Sequence, residues 1–373
     1  MIPLINVYRT NNEAKYVQDA TLNGWGNDRN RYTNMFAARL GTMFKNQNLI
    51  LTSSFHGALH ILVKALSLQP NDEIIAPNIS WVGTVNPFVW MGLNVKFADV
   101  SPITCCMDYE SAISLITEKT RAIILVHAFG NVADAELFRS VCDAKGIWLI
   151  EDCAPAFGSY CNNQHVGTIG HFGVYSFNAT KILTTGGEGG ALLDNTGDFI
   201  EAIRSISNQG RSTKDRYRYK IDRIGLKYNI TNIQCAFGCA ALENFHLIIE
   251  KKKEVYQFYK KMLAEYPFFT LLNDSIPKNN HNLWLPILKC KEKGHVNKLM
   301  NLLDSNGIET RPFFPTLSSL GIYNLSNIPH TPKSDELVQS AICLPSHTQV
   351  TEAELEYIVS ILRNYKQAEN TSI

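Results

Sequence analysis

Short apolar runs alternate with stretches of helical apolar spacing along the first half of the chain, and this alternation constrains the fold most strongly. Residues 122–126 and Trp148–Asp152 have the length and composition of strands that are buried on both faces. Residues 134–145, between those runs, have the spacing of a helix. A repeated strand-helix unit predicts an α/β fold with a mostly parallel sheet flanked by helices. Its functional loops should lie at the carboxyl ends of the strands.

The pattern changes near residue 235, where a long helical stretch runs to about residue 266. Beyond it, a short strand at 283–288 and helices at 296–306 and 352–365 are predicted. A chain of 373 residues usually forms more than one hydrophobic core. We therefore predict a large domain over residues 1–240 and a smaller C-terminal α/β domain over residues 241–373.

Charge and hydropathy indicate which partners to expect. The formal net charge of +1 gives no attraction to nucleic acid or to an anionic membrane, and no apolar run is long enough to span a bilayer. The N-terminus lacks the basic start and apolar core of a signal peptide. The nine cysteines are an odd number without metal-ligand spacing. These features predict a cytoplasmic protein with reduced thiols and no bound metal.

Lys181 lies between an apolar strand and a glycine turn, in Ser176-Phe-Asn-Ala-Thr-Lys181 followed by Gly186-Gly-Glu-Gly-Gly190. A lysine in that setting is desolvated, so it loses its proton more easily than a solvated lysine. The neutral amine can then attack a carbonyl and form a covalent bond with it. Lys181 is therefore the leading candidate for a catalytic residue.

Three other features join Lys181, and each has a simpler structural explanation. Asp152 ends an apolar strand, where it could pair with a protonated ring nitrogen or cap the next helix. Trp81 could stack on a flat cofactor or belong to the core. The turn Thr52-Ser-Ser-Phe-His-Gly57, assisted by Ser176, could bind a phosphate or simply cap a helix. Together they supply the parts of a pyridoxal phosphate (PLP) site.

The ordered set of motifs resembles the DegT/DnrJ/EryC1/StrS family of sugar aminotransferases, within the fold-type I PLP-dependent transferases. The resemblance covers nearly the whole chain, and its motifs include, besides those above, Gly24-Trp25, Glu151-Asp152, Gly167-Thr-Ile-Gly170, Lys227-Tyr-Asn-Ile-Thr-Asn-Ile-Gln234, Gly307-Ile-Glu-Thr-Arg-Pro-Phe-Phe314 and Cys343-Leu-Pro-Ser346.

The resemblance implies a role for each site residue. Lys181 would bind the cofactor covalently and carry the proton that moves during amine transfer. Asp152 would pair with the pyridine nitrogen, and Trp81 would cover the ring. The other implied cofactor ligands are Ser54, Phe55, His56, Ser176 and Asn178, with Lys227 and Asn229 reaching the cofactor from the second subunit of a homodimer. The implied substrate-binding residues are Arg311, Phe313 and Trp25.

The implied reaction moves the amine of L-glutamate to a nucleotide-linked keto sugar. The segment Thr310-Arg-Pro-Phe-Phe314 is similar to that of perosamine and viosamine synthases, which implies the C4 ketone of a GDP- or dTDP-linked 4-keto-6-deoxyhexose and a role in O-antigen-type polysaccharide biosynthesis. A C3-aminotransferase acting on a 3-keto sugar and a sugar 3-dehydratase are the alternatives. Dehydratases of the family carry histidine in place of Lys181, and a non-catalytic relative should lack Lys181 or Asp152. A nicotinamide oxidoreductase would need a Gly-x-Gly-x-x-Gly turn after an early strand, which is absent here.

The chain departs from the family pattern at three places. The phosphate turn has Phe55-His56 where a small pair such as Gly-Thr is usual. Pro155 replaces a polar residue that often bonds the cofactor ring oxygen, and proline has no backbone N–H to substitute for it. Ser318 stands where perosamine-like enzymes tend to have histidine.

Overall fold

A computed structural model describes residues 1–212, 214, 219–272, 279–323, 325 and 329–370, with the backbone alone at 279 and 366–370. The helices are α1 (Asn11–Asn23), α2 (Arg31–Phe44), α3 (Phe55–Ala65), α4 (Asn86–Trp90), α5 (Tyr109–Ser114), α6 (Ala135–Lys145), α7 (Ile200–Ser207), α8 (Asn232–Glu243), α9 (Phe245–Leu263), α10 (Val296–Ser305), α11 (Pro332–Ser340) and α12 (Glu352–Asn370). The strands are β1 (Leu49–Thr52), β2 (Glu73–Pro77), β3 (Asn94–Ala98), β4 (Thr120–Val126), β5 (Trp148–Asp152), β6 (Tyr160–Cys161), β7 (Gln164–His165), β8 (Phe172–Ser176), β9 (Gly190–Asp194), β10 (Phe269–Leu271), β11 (Asn279–Asn280), β12 (Ile287–Cys290), β13 (Arg311–Pro312) and β14 (Ala341–Cys343).

The central sheet has seven strands in the order β1-β9-β8-β5-β4-β2-β3. Strands β8, β5, β4, β2 and β3 pair in parallel, whereas β9 pairs antiparallel with both β8 and β1. Only β9 is therefore reversed, and the mostly parallel sheet that the sequence predicts is confirmed. The ends of β1, β5 and β8 meet at one edge, together with the start of β9.

Helices cover both faces of this sheet because its strands are apolar on both sides. In β4, Ile123 and Leu125 belong to one hydrophobic cluster, and Ala122 and Ile124 belong to the cluster on the opposite face. The alternation follows from the two-residue period of a strand. Five of the seven β4 residues are buried in succession, which explains the near-continuous apolar run of the sequence.

The C-terminal part is built on a second, antiparallel sheet with the order β10-β12-β14-β13. The single long helix expected over 235–266 is two helices, since α8 ends at Glu243. Its C-cap Asn244 donates from its side-chain amide to the Ala240 carbonyl. The strand expected at 283–288 begins later, at Ile287, because Leu283 has a left-handed backbone with φ of 55°.

The N-terminal residues contact the C-terminal part directly. Ile2 forms a parallel bridge with Ile308 and packs in the cluster that contains Leu288 and Leu362. The division into domains 1–240 and 241–373 stays a prediction. Among the helices described here, none is sufficiently long and apolar to cross a membrane.

Candidate active site

A cavity of about 430 Å³ opens at the carboxyl edge of the central sheet. Its position follows from the topology, because the loops after parallel strands converge on that edge. Most of the site residues predicted from the sequence line this cavity: Ser54, Phe55, His56, Trp81, Asp152, Ser176, Asn178, Lys181 and Arg311.

Lys181 lies at the floor of the cavity, in the turn that follows β8. Its backbone N–H donates to the Asn178 carbonyl at 2.9 Å, which fixes the direction in which the side chain leaves the turn. Burial lowers the pKa of Lys181 from its ordinary value of 10.5 to about 8, and the Asp152 carboxylate partly opposes that change. A large share of the Lys181 amines is therefore neutral and nucleophilic near pH 8.

Asn178 holds the lysine turn together. Its Oδ1 accepts hydrogen bonds from the backbone N–H and the hydroxyl of Thr180, both at 2.9 Å, and its Nδ2 donates to Glu188. The turn is followed by Gly186, whose φ of 85° is favourable for glycine. These bonds shape the lysine turn. Asn178 also lines the cavity, and its role as a cofactor ligand stays a prediction.

Asp152 is the last residue of β5 and is almost fully buried. Its Oδ2 accepts from the Thr84 hydroxyl at 2.7 Å, and its Oδ1 accepts from the Ala154 N–H at 3.0 Å. Burial raises the pKa of Asp152, against the effect of those bonds. A buried carboxylate is stabilised by a cationic partner, and the protonated ring nitrogen of PLP is such a partner. Of the two donors to Asp152, only the Ala154 backbone N–H makes the kind of contact that a helix cap would make.

Thr84 is a site residue that the sequence interpretation missed. It lies in the short 3₁₀ turn Val82–Thr84 and is nearly inaccessible to solvent. Its hydroxyl contacts the Ser80 hydroxyl at 2.7 Å and donates to Asp152. The available signal was its position three residues after Trp81, in the loop that follows β2, at the same edge of the sheet as the end of β5.

The start of α3 provides a place for an anion. Ser54 is the N-cap, and its hydroxyl accepts from the Gly57 N–H at 3.0 Å. Among the described residues, no group accepts a hydrogen bond from the N–H of Phe55 or of His56. These two amides lie at the positive end of the helix dipole, which favours a phosphate. Gly190 approaches closely, since a Cβ there would lie 2.7 Å from the carbonyl carbon of Ser54.

Trp81 and Arg311 form the outer part of the cavity. The Trp81 indole is 63% exposed, which excludes an ordinary core tryptophan, and its ring centroid lies 6.0 Å from that of Phe314. Arg311 is also exposed, with Glu309 as a distant partner at 4.0 Å. An exposed guanidinium beside an apolar wall suits an anionic substrate group.

Four predicted residues lie away from the cavity of this single chain. Phe313 is buried against Phe129, with ring centroids 4.7 Å apart, and its neighbour Phe314 lines the cavity instead. Trp25 is exposed, and its indole N–H donates to the Thr21 carbonyl. Lys227 donates to Asn208, and Asn229 pairs with Thr52 through the backbone. The roles of these four residues stay predictions.

One buried group of potential metal ligands lies behind Asp152, namely His127, Glu151 and Cys153. The Glu151 oxygens accept from His127 Nε2 and from the N–H groups of Gly167 and Ile169. His127 Nδ1 accepts from the Ala133 N–H, so His127 is the neutral tautomer that donates from Nε2. Through these bonds Glu151 supports the Gly167–Gly170 loop.

The model of the DegT/DnrJ/EryC1/StrS aminotransferase family matches residues 8–363. The chain belongs to this family. GDP-perosamine synthase of Vibrio cholerae is 32% identical over 98% of this chain and 99% of that protein. GDP-perosamine synthase of Escherichia coli O157:H7 is 28% identical over 98% of each chain. Aminotransferase TlmJ from Streptoalloteichus hindustanus has the same fold, with a TM-score of 0.93, 21% identity and coverage of 99% of this chain and all of that one.

Membership of the DegT/DnrJ/EryC1/StrS family confirms the predicted fold class and the predicted activity. The chain is a PLP-dependent transaminase that acts on a nucleotide sugar. The geometry fits the cofactor, since a buried carboxylate, two helix-terminal amides and a lysine of lowered pKa line one cavity.

Proposed function

We propose that this aminotransferase moves the amine of L-glutamate to the C4 ketone of a GDP- or dTDP-linked 4-keto-6-deoxyhexose. The observation that carries the proposal is the joint placement of Lys181 and Asp152 in one cavity, with Arg311 at its outer wall. The similarity to two GDP-perosamine synthases over almost the full chain supports the C4 position. The product would enter amino-sugar polysaccharide synthesis, and the expected location is the cytoplasm.

Each residue contributes a defined task in this proposal. When bound, PLP supplies an electron sink that stabilises negative charge at the carbon next to the transferred nitrogen. Asp152 keeps a proton at the ring nitrogen, because an anion there favours the cationic ring. Lys181 takes the proton from the donor carbon and returns it on the other side of the reaction. The N–H groups of Phe55 and His56, with Ser54 and Ser176, hold the phosphate.

We propose further that the enzyme is a homodimer in which Lys227 and Asn229 of each chain complete the partner's site. Both residues lie outside the cavity of their own chain, and the exposed apolar side chains of Ile221 and Ile224 precede them in sequence. An exposed apolar loop of this kind favours burial against a second copy.

The decisive experiment incubates the purified enzyme with glutamate and a panel of nucleotide-linked sugars, each carrying either a 4-keto or a 3-keto group. Mass analysis identifies amination, and NMR locates the new nitrogen. Amination of 4-keto-6-deoxyhexoses supports the proposal. Reaction of 3-keto sugars alone, or loss of a hydroxyl without gain of nitrogen, would contradict it.

A further inference from the structure

Trp284 lies between the cavity and the C-terminal part of the chain, and the mechanism above does not use it. Its indole is buried, with 4% of the residue exposed, yet one face borders the cavity. Lys181 Nζ lies 4.2 Å from the centroid of this ring. An ammonium group over the face of an indole is the most favourable of the cation–π arrangements.

Trp284 is also bonded to the lysine turn. Its indole N–H donates to the carbonyl of Thr180, the residue before Lys181, at 2.9 Å. The same side chain therefore contacts the lysine nitrogen with its face and the adjoining backbone with its edge. Two contacts in different directions fix both the start and the end of the lysine side chain.

The backbone of Trp284 is held by buried polar groups on either side. Its N–H donates to Asn282 Oδ1 at 2.9 Å, and its carbonyl accepts from Lys252 Nζ at 2.8 Å. Asn282 Nδ2 in turn donates to the carbonyls of Pro155 and Phe157, in the loop that follows Asp152. A residue tied in this way keeps its orientation while neighbouring groups move.

Leu283 gives a second, independent indication that this orientation matters. It has a φ of 55°, in the left-handed region that branched apolar residues rarely adopt, and it is buried. Such strain persists only where surrounding contacts demand it, and it concentrates at functional sites. Here the strained residue directly precedes Trp284 in the chain.

We propose that Trp284 is a positioning residue of the aminotransferase site, which holds the ammonium form of Lys181 over its indole face. A ring quadrupole attracts the cation and has little affinity for the neutral amine. Lys181 is therefore held after it has taken a proton from the donor carbon, and it is released once that proton has left Nζ. The contact also limits the rotamers of a long, flexible side chain. The inference rests on the proposed role of Lys181.

The test measures the proton affinity of Lys181 in the full-length, cofactor-free protein. Acetic anhydride acylates only neutral amines, so peptide mass analysis after labelling at a series of pH values gives the midpoint for Lys181. Removing a stabiliser of the ammonium form must lower that midpoint. We expect Trp284→Leu to lower it by about one pH unit, equivalent to about 1.4 kcal/mol. Asp152, Arg311 and Glu188 also act on this amine, and all three are unchanged in the variant.

Two further variants make the result decisive. Trp284→Phe keeps a ring face but lacks the N–H to Thr180, so we expect a smaller fall of the midpoint and a lower kcat with an unchanged KM for the sugar. It also decides the question if Trp284→Leu does not fold. Trp90→Leu is the control, since Trp90 is 84% exposed and lies outside the cavity. An unchanged or higher midpoint in a folded Trp284 variant would overturn the proposal.

The Lys181→Ala and Trp284 variants distinguish a wrong role for Trp284 from a wrong mechanism. If Lys181→Ala retains a cofactor linkage that borohydride can reduce, Lys181 is not the attachment residue and the proposed mechanism is wrong. If Lys181→Ala loses the linkage while the Trp284 variants keep the parental midpoint, the mechanism stands and the role of Trp284 is wrong.

Discussion

Replacing Thr84 by valine tests the environment of the buried carboxylate with the smallest possible change of shape. Valine has nearly the volume of threonine but lacks the hydroxyl that donates to Asp152 Oδ2 at 2.7 Å. The carboxylate would keep its bond from the Ala154 N–H and lose the other. A hydrogen bond to a charged group contributes about 1.5–3 kcal/mol, which corresponds to a rise of about one to two in the pKa of Asp152.

This rise has two measurable consequences. A carboxylate of higher pKa competes better for the proton of the ring nitrogen, so the first half-reaction with glutamate should slow by about tenfold to a hundredfold. In the cofactor-free protein, the variant should lose about 1.5–3 kcal/mol of stability at neutral pH. The lost hydrogen bond destabilises the anionic form of Asp152, whose pKa burial already raises. The loss of stability should therefore shrink as the pH falls through that pKa.

The assays are single-turnover absorbance changes with glutamate and denaturant unfolding at pH values from neutral to acidic. Thr84→Ser is the matched control, since it restores the hydroxyl and should behave like the parent protein. Asp152→Asn gives the limit for complete loss of the charge. Parental half-reaction rates in a Thr84→Val variant that binds the cofactor would refute the reasoning, as would a stability loss that does not change with pH.

Three other predictions concern the lysines. Lys181→Ala should abolish amine transfer and the borohydride-reducible linkage, and a linkage that survives would show that another residue binds the cofactor. An equimolar mixture of Lys181→Ala and Lys227→Ala chains, after refolding together, should recover about a quarter of the parental activity, because half of the dimers contain one intact shared site; no recovery would contradict the shared site. Burial lowers the pKa of Lys252 from 10.5 to about 7, whereas the unfolded lysine stays protonated to higher pH. Unfolding measurements should therefore show the stability of the parent relative to Lys252→Met increasing from pH 7 to pH 10, and a pH-independent difference would refute the lowered pKa.

The parts of the site that the sequence predicted are those controlled by local structure. Asp152 and Ser176 each end a strand that is apolar along its length. Predicting the strand therefore also placed the residue at the carboxyl edge of the sheet. Ser54 to His56 were found in the same way, since a small-residue turn before helical spacing marks the start of a helix. The reversed direction of β9 was not predictable, because an apolar strand has the same composition in either direction.

The site residues that the sequence interpretation missed make contacts between distant segments of the chain. Thr84 contacts Asp152 across 68 positions of sequence, and Trp284 contacts Thr180 across 104 positions. Phe313 was implied as a substrate-binding residue by the resemblance of the segment Thr310-Arg-Pro-Phe-Phe314 to the family motif. Strand β13 ends at Pro312, and within this chain Phe314 lines the cavity whereas Phe313 does not.

The two charged groups of the site have different direct contacts. The Asp152 carboxylate accepts hydrogen bonds from Thr84 and Ala154, both near strands of the central sheet. The Lys181 ammonium lies over Trp284 from the C-terminal part, and the Asp152 carboxylate also favours this ammonium. Amine transfer needs a carboxylate that stays charged and a lysine that changes its charge in each half-reaction. A single rigid environment would stabilise or destabilise both ions together, since burial disfavours both charged forms. Separate partners allow hydrogen bonds to oppose the effect of burial on Asp152 while an indole face favours the cationic form of Lys181 only when that cation is present.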